Sequence, residues 1–292
     1  MKNIGVIGLG VMGAPMAVNL ARAGYQVTGH TRSERGKDQL RAAGGRIAAD
    51  PAEVAVESDV VITMLPDSPD VESVLTGRDG VLAAARSGAL LIDCSTISPP
   101  VASRLAMEAQ AAGHDLLDAP VSGGEKGARE ATLSIMVGGD RAAFDRARPV
   151  LSAVGATIVH VGPAGSGQAV KAANQLVVAG NIALVAEAMV LLESLGVDLE
   201  RALEVLRGGL AGSRVLDVKG EAMLHGEFSP GFRIDLHHKD LGIALSAARE
   251  AGAPLPVTGL VAQLVAAARA LGHGGLDHGA LLLVARQLAG RD

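Results

Sequence analysis

The segment Asn3-Ile4-Gly5-Val6-Ile7 runs straight into Gly8-Leu9-Gly10-Val11-Met12-Gly13, and a helical pattern over Met12–Ala23 follows before a second apolar run at Gln26–His30. A glycine turn placed between a strand and a helix, with another strand beyond, admits few folds. It predicts the opening of a βαβ unit built around a dinucleotide. Gly8 permits the tight turn, Gly10 lets backbone approach a pyrophosphate, and Gly13 allows the helix to pack closely on the strand. Leu9, Val11 and Met12 complete the turn, and the helix N-terminus faces the phosphates. The bland alternative is a tight turn in a protein that binds no nucleotide.

Further runs repeat the alternation. Strands are expected at Asp59–Leu65, Ala89–Asp93, Asp115–Asp118, Leu133–Val137 and Thr157–Val161, with helices between most of them, Pro99–Ala112 among these. Strands that read as continuous apolar runs are buried on both faces, and their alternation with helices predicts parallel βαβ units. The fold class is therefore α/β, with an N-terminal doubly wound Rossmann sheet. At Gly162-Pro163-Ala164-Gly165-Ser166-Gly167 the pattern changes, and no convincing strand follows. One long helical stretch, Gln168–Leu195, is apolar on nearly every face and is expected to be buried. Helices over Leu199–Arg207, Asp235–Ala251, Val257–Leu271 and Gly279–Ala289 follow it. The expected organisation is a Rossmann domain over residues 1–163 and an all-α domain over 164–292, opened by a long interdomain helix.

Composition narrows the function. Twenty-six basic against 31 acidic residues leave a net charge of −5, so no basic excess exists to hold a nucleic-acid backbone. No Trp, one Tyr and three Phe leave no platform for stacked bases or sugars. The single cysteine, Cys94, forms no intrachain disulfide and suits a reducing, cytoplasmic setting. Lys2–Ile7 already reads as strand, so no leader is expected. The most apolar stretch, Leu176–Leu192, carries Asn181 and Glu187, so no membrane span is expected and the chain reads as soluble.

The end of the second strand bears on the dinucleotide. NAD recognition needs a carboxylate there for the ribose 2′-hydroxyl, whereas this chain offers His30-Thr31-Arg32-Ser33. Thr31, Arg32 and Ser33 suit the 2′-phosphate of NADP through charge-assisted hydrogen bonds. NADP(H) is the expected cofactor, with NAD(H) admissible. Arg32 as a plain solvated charge, with Arg35 doing its work, is the alternative.

Two more segments carry chemistry. In Asp118-Ala119-Pro120-Val121-Ser122-Gly123-Gly124 the paired glycines allow backbone N–H groups to converge on an anion such as a small carboxylate. A flexible turn explains the same residues. Lys171 lies one turn into the long helix, with Asn174 three residues on along the same face. A lysine on an apolar helix at a domain junction either snorkels to solvent or is held for proton transfer. No metal site is expected. His237 and His238 diverge by about 100° on a helix, and these residues, with His273 and His278, read as solvated or capping. No GxSxG elbow supports a hydrolase, and Cys94 reads as a small buried hydrophobe.

Together these segments resemble the β-hydroxyacid dehydrogenases (the 3-hydroxyisobutyrate dehydrogenase family) over essentially the whole chain. Gly8 to Leu20 resembles the family's cofactor motif and Asp118 to Gly124 its substrate motif. Gly165 to Asn174 is similar to its catalytic motif, and Lys239-Asp240-Leu241 to a late cofactor motif. The resemblance implies Lys171 as general acid/base and Ser122, Gly123, Gly124 and Asn174 as substrate-binding residues. It places Met64, Leu65, Pro66 and Thr96 beside the nicotinamide half, and Lys239 over the cofactor. It further implies a homodimer or homotetramer acting on a small carboxylate-bearing substrate. Within the family, Arg207–Ser213, Pro230–His237 and Gly272–His278, with Glu125, look most like the tartronate semialdehyde (2-hydroxy-3-oxopropionate) reductase branch. 3-Hydroxyisobutyrate and 4-hydroxybutyrate dehydrogenases are the alternatives. The departure is at Thr31, where NAD-preferring relatives carry an acid. 6-Phosphogluconate dehydrogenases place a His-Asn pair after the lysine, where this chain has Ala173 before Asn174. Imine reductases generally lack the lysine. A dinucleotide-binding module without turnover is the reading from another class, disfavoured by the intact Lys171 and Asn174.

Overall fold

The computed structural model describes Met1–Arg291, with the side chain of Arg35 left out of the description. The chain divides into two compact units, Met1–Lys171 and Ala172–Asp292. The boundary read from the sequence, at 163, lies just upstream in the glycine-rich turn.

The first unit is a nine-stranded sheet clothed in helices. Its elements in chain order are β1 (Asn3–Ile7), α1 (Gly13–Arg22), β2 (Gln26–His30), α2 (Glu34–Ala42), β3 (Arg46–Ile47), α3 (Pro51–Glu57), β4 (Val60–Thr63), α4 (Ser68–Thr76), α5 (Val81–Ala84), β5 (Leu90–Asp93), α6 (Pro99–Ala111), β6 (Asp115–Asp118), β7 (Val121–Ser122), α7 (Gly124–Glu130), β8 (Leu133–Gly138), α8 (Arg141–Leu151) and β9 (Gly155–Gly162). The strand order is β3-β2-β1-β4-β5-β6-β8-β7, with β9 on β8. From β3 to β6 every pairing is parallel, which is the doubly wound order with its switch point between β1 and β4. Every residue of β4 and β5 is buried, as expected for strands covered on both faces. One cluster, around Val6, Leu20, Ile62 and Leu90, fills one side of the sheet. A second, around Ile7, Val61, Leu91 and Leu105, fills the other.

The purely parallel expectation fails beyond β6. β8 meets β6 antiparallel at Asp118↔Gly138, and β7 pairs antiparallel with β8 through Val121↔Ile135 and Ser122↔Ser134. β6 and β7 both run against β8, so the chain reverses after Ser122: the short segment with α7 brings β8 back alongside them without the longer crossover a parallel strand requires.

The second unit is helical. It holds most of α9 (Ser166–Ser194), then α10 (Leu199–Gly208), α11 (Arg214–His225), α12 (Ile234–Glu250), α13 (Pro256–Ala270) and α14 (Leu281–Leu288). Its core is two clusters, one on Ile182, Leu241 and Val265, the other on Met189, Leu203 and Leu282. By length and composition α9 is long and apolar enough to cross a membrane, but it supplies Ala179, Ile182 and Ala183 to one cluster and Ala186 and Met189 to the other. The expectation of an all-round buried helix needs correction. Val177, Leu184 and Leu191 are 55%, 64% and 60% exposed. Their seven-residue spacing keeps them on one side of the helix, so the core-facing side is buried and an apolar stripe is left outside.

Candidate active site

Four of the loops singled out in the sequence follow β1, β4, β5 and β6, which run parallel. They therefore emerge at one edge of the sheet, the carboxyl ends where doubly wound folds bind ligands. Gly8 has φ of +99°, and a Cβ there would stand 2.2 Å from the Met64 carbonyl oxygen, so only glycine lets the first two loops meet. Gly10 differs, because a Cβ on it would meet nothing within 4 Å. Packing within the protein does not demand glycine at that position, whereas close approach of a ligand to the backbone does. Leu9 is buried beneath the turn, Val11 is exposed, and Met12 heads α1 without a side-chain cap. Uncapped N–H groups of a ten-residue helix fit the phosphates of a dinucleotide.

Thr31, Arg32 and Ser33 follow β2. The Ser33 N–H donates to Thr31 Oγ1 at 3.4 Å. Arg32 is exposed and forms no ion pair among the described residues. Glu34 is drawn instead to Lys37, at 2.6 Å. The alternative reading through Arg35 falls on a side chain outside the described residues.

Met64 and Leu65 are half-buried and Pro66 is exposed. Leu65 N–H donates to Ser95 Oγ at 2.9 Å, which ties this loop to the one after β5 that carries Thr96. Asp93 anchors the latter by accepting from Thr63 Oγ1 (2.7 Å) and from the Ser95 N–H (3.1 Å). Cys94 is buried, and burial pushes its thiol far up, away from nucleophilic use.

The loop after β6 and the start of α9 interlock. Asp118 accepts the Gly165 N–H on Oδ1 (2.8 Å) and the Gln168 N–H on Oδ2 (2.9 Å). Burial nevertheless pushes its carboxyl up to about 6, against those bonds. Ser122 ends β7, and Gly123 and Gly124 follow with φ of +136° and +62°, values that free backbone N–H groups to turn outward. Lys171 does not snorkel: it is 6% exposed, and its Nζ donates to the Val121 carbonyl at 2.7 Å. The ammonium group therefore stands one residue from Ser122. Two segments that the sequence only suggested as partners share one place.

Asn174 and Lys239 belong to the second unit. Asn174 Oδ1 is buried with no hydrogen-bond partner among the described residues, which is how a group kept for a ligand would be left. Lys239 pairs with Asp240 Oδ1 at 3.1 Å, and Asp240 Oδ2 accepts from Gln175 Nε2 at 2.5 Å. His237 and His278 are not solvated. They are 1% and 8% exposed, with their Nδ1 atoms 3.0 Å apart, and His237 Nε2 lies 3.1 Å from the Gln175 carbonyl. Among the described residues no cluster of three metal-ligating side chains occurs. The sequence reading passed over Gln168, Ser95 and Gln175. The one signal for Gln168 was its place three residues before Lys171.

A doubly wound sheet with a glycine turn after β1 and a buried lysine held at the loop after β6 has the parts of a nicotinamide-dependent dehydrogenase. Residues 3–162 match the model for the NAD-binding domain of 6-phosphogluconate dehydrogenase, and residues 165–285 match that for the NAD-binding domain of NADP-dependent 3-hydroxyisobutyrate dehydrogenase. The chain is 46% identical to the 2-hydroxy-3-oxopropionate reductase of Escherichia coli, over 96% of this chain and 95% of that one. It is 41% identical to the 2-(hydroxymethyl)glutarate dehydrogenase of Eubacterium barkeri, over 98% and 96%. The solved 3-hydroxyisobutyrate dehydrogenase of Mycobacterium tuberculosis, determined with L-serine, superposes with a TM-score of 0.89 at 39% identity, covering 98% of this chain and 99% of that one. The chain belongs to the β-hydroxyacid dehydrogenase family.

Proposed function

We propose that this enzyme reduces tartronate semialdehyde (2-hydroxy-3-oxopropionate) to glycerate with NADPH, using Lys171 as the proton donor. The observation that carries the reading is the Lys171 Nζ held 2.7 Å from the Val121 carbonyl, beside Ser122 and the Gly123–Gly124 pair. The 46% identity to the E. coli reductase favours this substrate over other semialdehydes. Gly8–Gly13 and the α1 N-terminus would hold the pyrophosphate, Thr31, Arg32 and Ser33 the 2′-phosphate, and Met64–Pro66 with Thr96 the nicotinamide half. When bound, the reduced nicotinamide supplies the hydride. The Ser122–Gly124 backbone fixes the substrate carboxylate, so the carbonyl reaches Lys171 already oriented, an entropic saving. Lys171 Nζ then protonates the carbonyl oxygen as negative charge develops there. The Asn174 amide, three residues along α9, orients the neighbouring hydroxyl. The role given to Lys239 rests on the resemblance.

A second reading, oxidation of a β-hydroxy acid such as 3-hydroxyisobutyrate or L-serine, is favoured by the likeness to the M. tuberculosis enzyme determined with L-serine. A panel of tartronate, methylmalonate and succinic semialdehydes, with the corresponding hydroxy acids and L-serine, read by absorbance of NADPH or NADH, separates the readings. The highest kcat/KM should fall on tartronate semialdehyde with NADPH. No turnover of any member alongside tight NADPH binding would leave a binding module instead.

A second copy of the chain is the partner we propose for the exposed Val177–Leu184–Leu191 stripe. Sedimentation should give a dimer or tetramer, and Leu184→Lys should shift it toward monomer.

A further inference from the structure

The Gln168 side chain bridges two parts of the candidate site. It is 1% exposed, and its amide is used at both ends: Nε2 donates to the Ser95 carbonyl at 2.8 Å, and Oε1 accepts the Ile97 N–H at 3.1 Å. These groups flank Thr96, so the amide clasps the Thr96 segment as a neighbouring strand would. Ser95 Oγ in turn accepts the Leu65 N–H. One buried side chain on the first turn of α9 thus holds the Thr96 loop directly and, through Ser95, the Met64–Pro66 loop.

Its backbone is fixed as well, since the Gln168 N–H donates to Asp118. Lys171 stands three residues on, on the same face of α9. The helix turn carrying the ammonium group is therefore tied to the cofactor loops through Gln168 and to the substrate loop through Asp118. A general acid must lie within hydrogen-bond reach of the oxygen it protonates, and a displacement of about 1 Å costs on the order of a hundredfold in rate.

We propose that Gln168 is a positioning residue for hydride transfer: its amide sets the distance between Lys171 and the nicotinamide loops. The inference rests on the dehydrogenase reading above. Gln168→Met keeps the length and removes both bonds. Gln168→Glu keeps the acceptor for Ile97 N–H. When ionised it sets a second acceptor against the Ser95 carbonyl, and when protonated its O–H restores the missing donor.

The test measures kcat, the isotope effect with NADPH deuterated at the transferred position, NADPH affinity by fluorescence, and melting temperature. Gln168→Met should lose about ten- to a hundredfold in kcat, with a larger isotope effect and NADPH affinity changed by less than about threefold. The kcat of Gln168→Glu relative to wild type at the same pH should rise as pH falls, a response that a general loss of stability does not produce, and it decides the matter if Gln168→Met fails to fold. Near-wild-type kcat in Gln168→Met, a loss that only tracks the folded fraction with an unchanged isotope effect, or no acid recovery in Gln168→Glu would overturn the proposal. Wild type and Lys171→Ala run alongside: an inert wild type sinks the dehydrogenase reading itself, whereas an active, Lys171-dependent wild type with indifferent Gln168 variants sinks only this inference.

Discussion

Asp118 and Gln168 are 50 residues apart in sequence, yet the carboxylate of the first accepts the backbone N–H of the second at 2.9 Å, and the Gly165 N–H besides. A negative charge at the start of a 29-residue helix is favoured by the helix dipole, and it pins the turn that leads to Lys171.

Burial sets the pH behaviour of that contact. The carboxyl is raised from 3.8 to about 6, so between those values the native state binds more protons than the unfolded one. Its contribution to stability is thus greatest at or below pH 3.8 and declines as pH rises to about 6, then stays level. Catalysis runs the other way, because a protonated Asp118 sets an O–H against one of the two N–H donors. We expect kcat to fall below about pH 6. Asp118→Asn, whose amide also sets an N–H against one of those donors, should sit on a low plateau without that acid limb, and should lose the decline in stability between pH 3.8 and about 6. Steady-state pH profiles and urea melts of both proteins check this, and an Asn variant keeping the wild-type acid limb would assign the limb elsewhere.

Lys171→Ala should lower kcat by about 10²–10⁴-fold, the range for a lost general acid, while NADPH affinity changes little. Wild-type turnover in this variant would remove Lys171 from the mechanism. Lys171→Arg is not expected to rescue, because a guanidinium does not release its proton.

What could be read in the sequence was whatever is local. The strand–glycine–helix opening carries its own geometry, since the tight turn puts Gly8 at a φ of +99°, where glycine is favoured. The runs Val60–Thr63 and Leu90–Asp93 declare two-sided burial by composition alone. β7 was invisible because two residues have no periodicity, and its antiparallel pairing is decided by β8. Gln168 looked like any polar residue on a helix. Its meaning lies in groups 71 and 73 positions away. His237 and His278 read as surface residues until a separation of 41 residues closed to 3.0 Å. The outward stripe of α9 escaped notice because an apolar helix reads as buried whatever covers it.

The paired imidazoles predict acid sensitivity in the helical unit. His237 Nε2 must donate to the Gln175 carbonyl, so its Nδ1 accepts from His278. Burial, then the neighbouring His237, depresses His278 from 6.5 to about 3. Asp277, bonded to Lys219 and to the Gly231, Phe232 and Gly279 N–H groups, is lowered despite its burial, first by His278 and then by Lys219. Both signs agree: stability is lost as pH falls, from about 6.5 toward 3 for the histidine and as the carboxylate protonates for Asp277. His278→Leu should be less stable at neutral pH by about 1–3 kcal/mol, with a flatter dependence below pH 6.5. Thermal melts across that range test it, and parallel curves for the two proteins would place the sensitivity in other groups.

The proposed preference for NADPH rests on Arg32. The carboxylate closest in sequence, Glu34, pairs with Lys37, so among the described residues no carboxylate at the end of β2 is left for a 2′-hydroxyl, while Arg32 stands exposed beside Thr31 and Ser33. A phosphate there gains a charge-assisted bond that a hydroxyl does not need. Arg32→Ala should therefore raise KM for NADPH by about tenfold, the equivalent of about 1.4 kcal/mol, and leave KM for NADH unchanged. Thr31→Asp, by offering the missing acid, should move preference toward NADH through repulsion of the phosphate and new bonds to the ribose. The ratio of kcat/KM for the two cofactors, measured at one semialdehyde concentration, is the deciding quantity. Equal losses with both cofactors in Arg32→Ala would mean that the residue holds the shared part of the dinucleotide, and would remove Arg32 as the ground for the proposed NADPH preference.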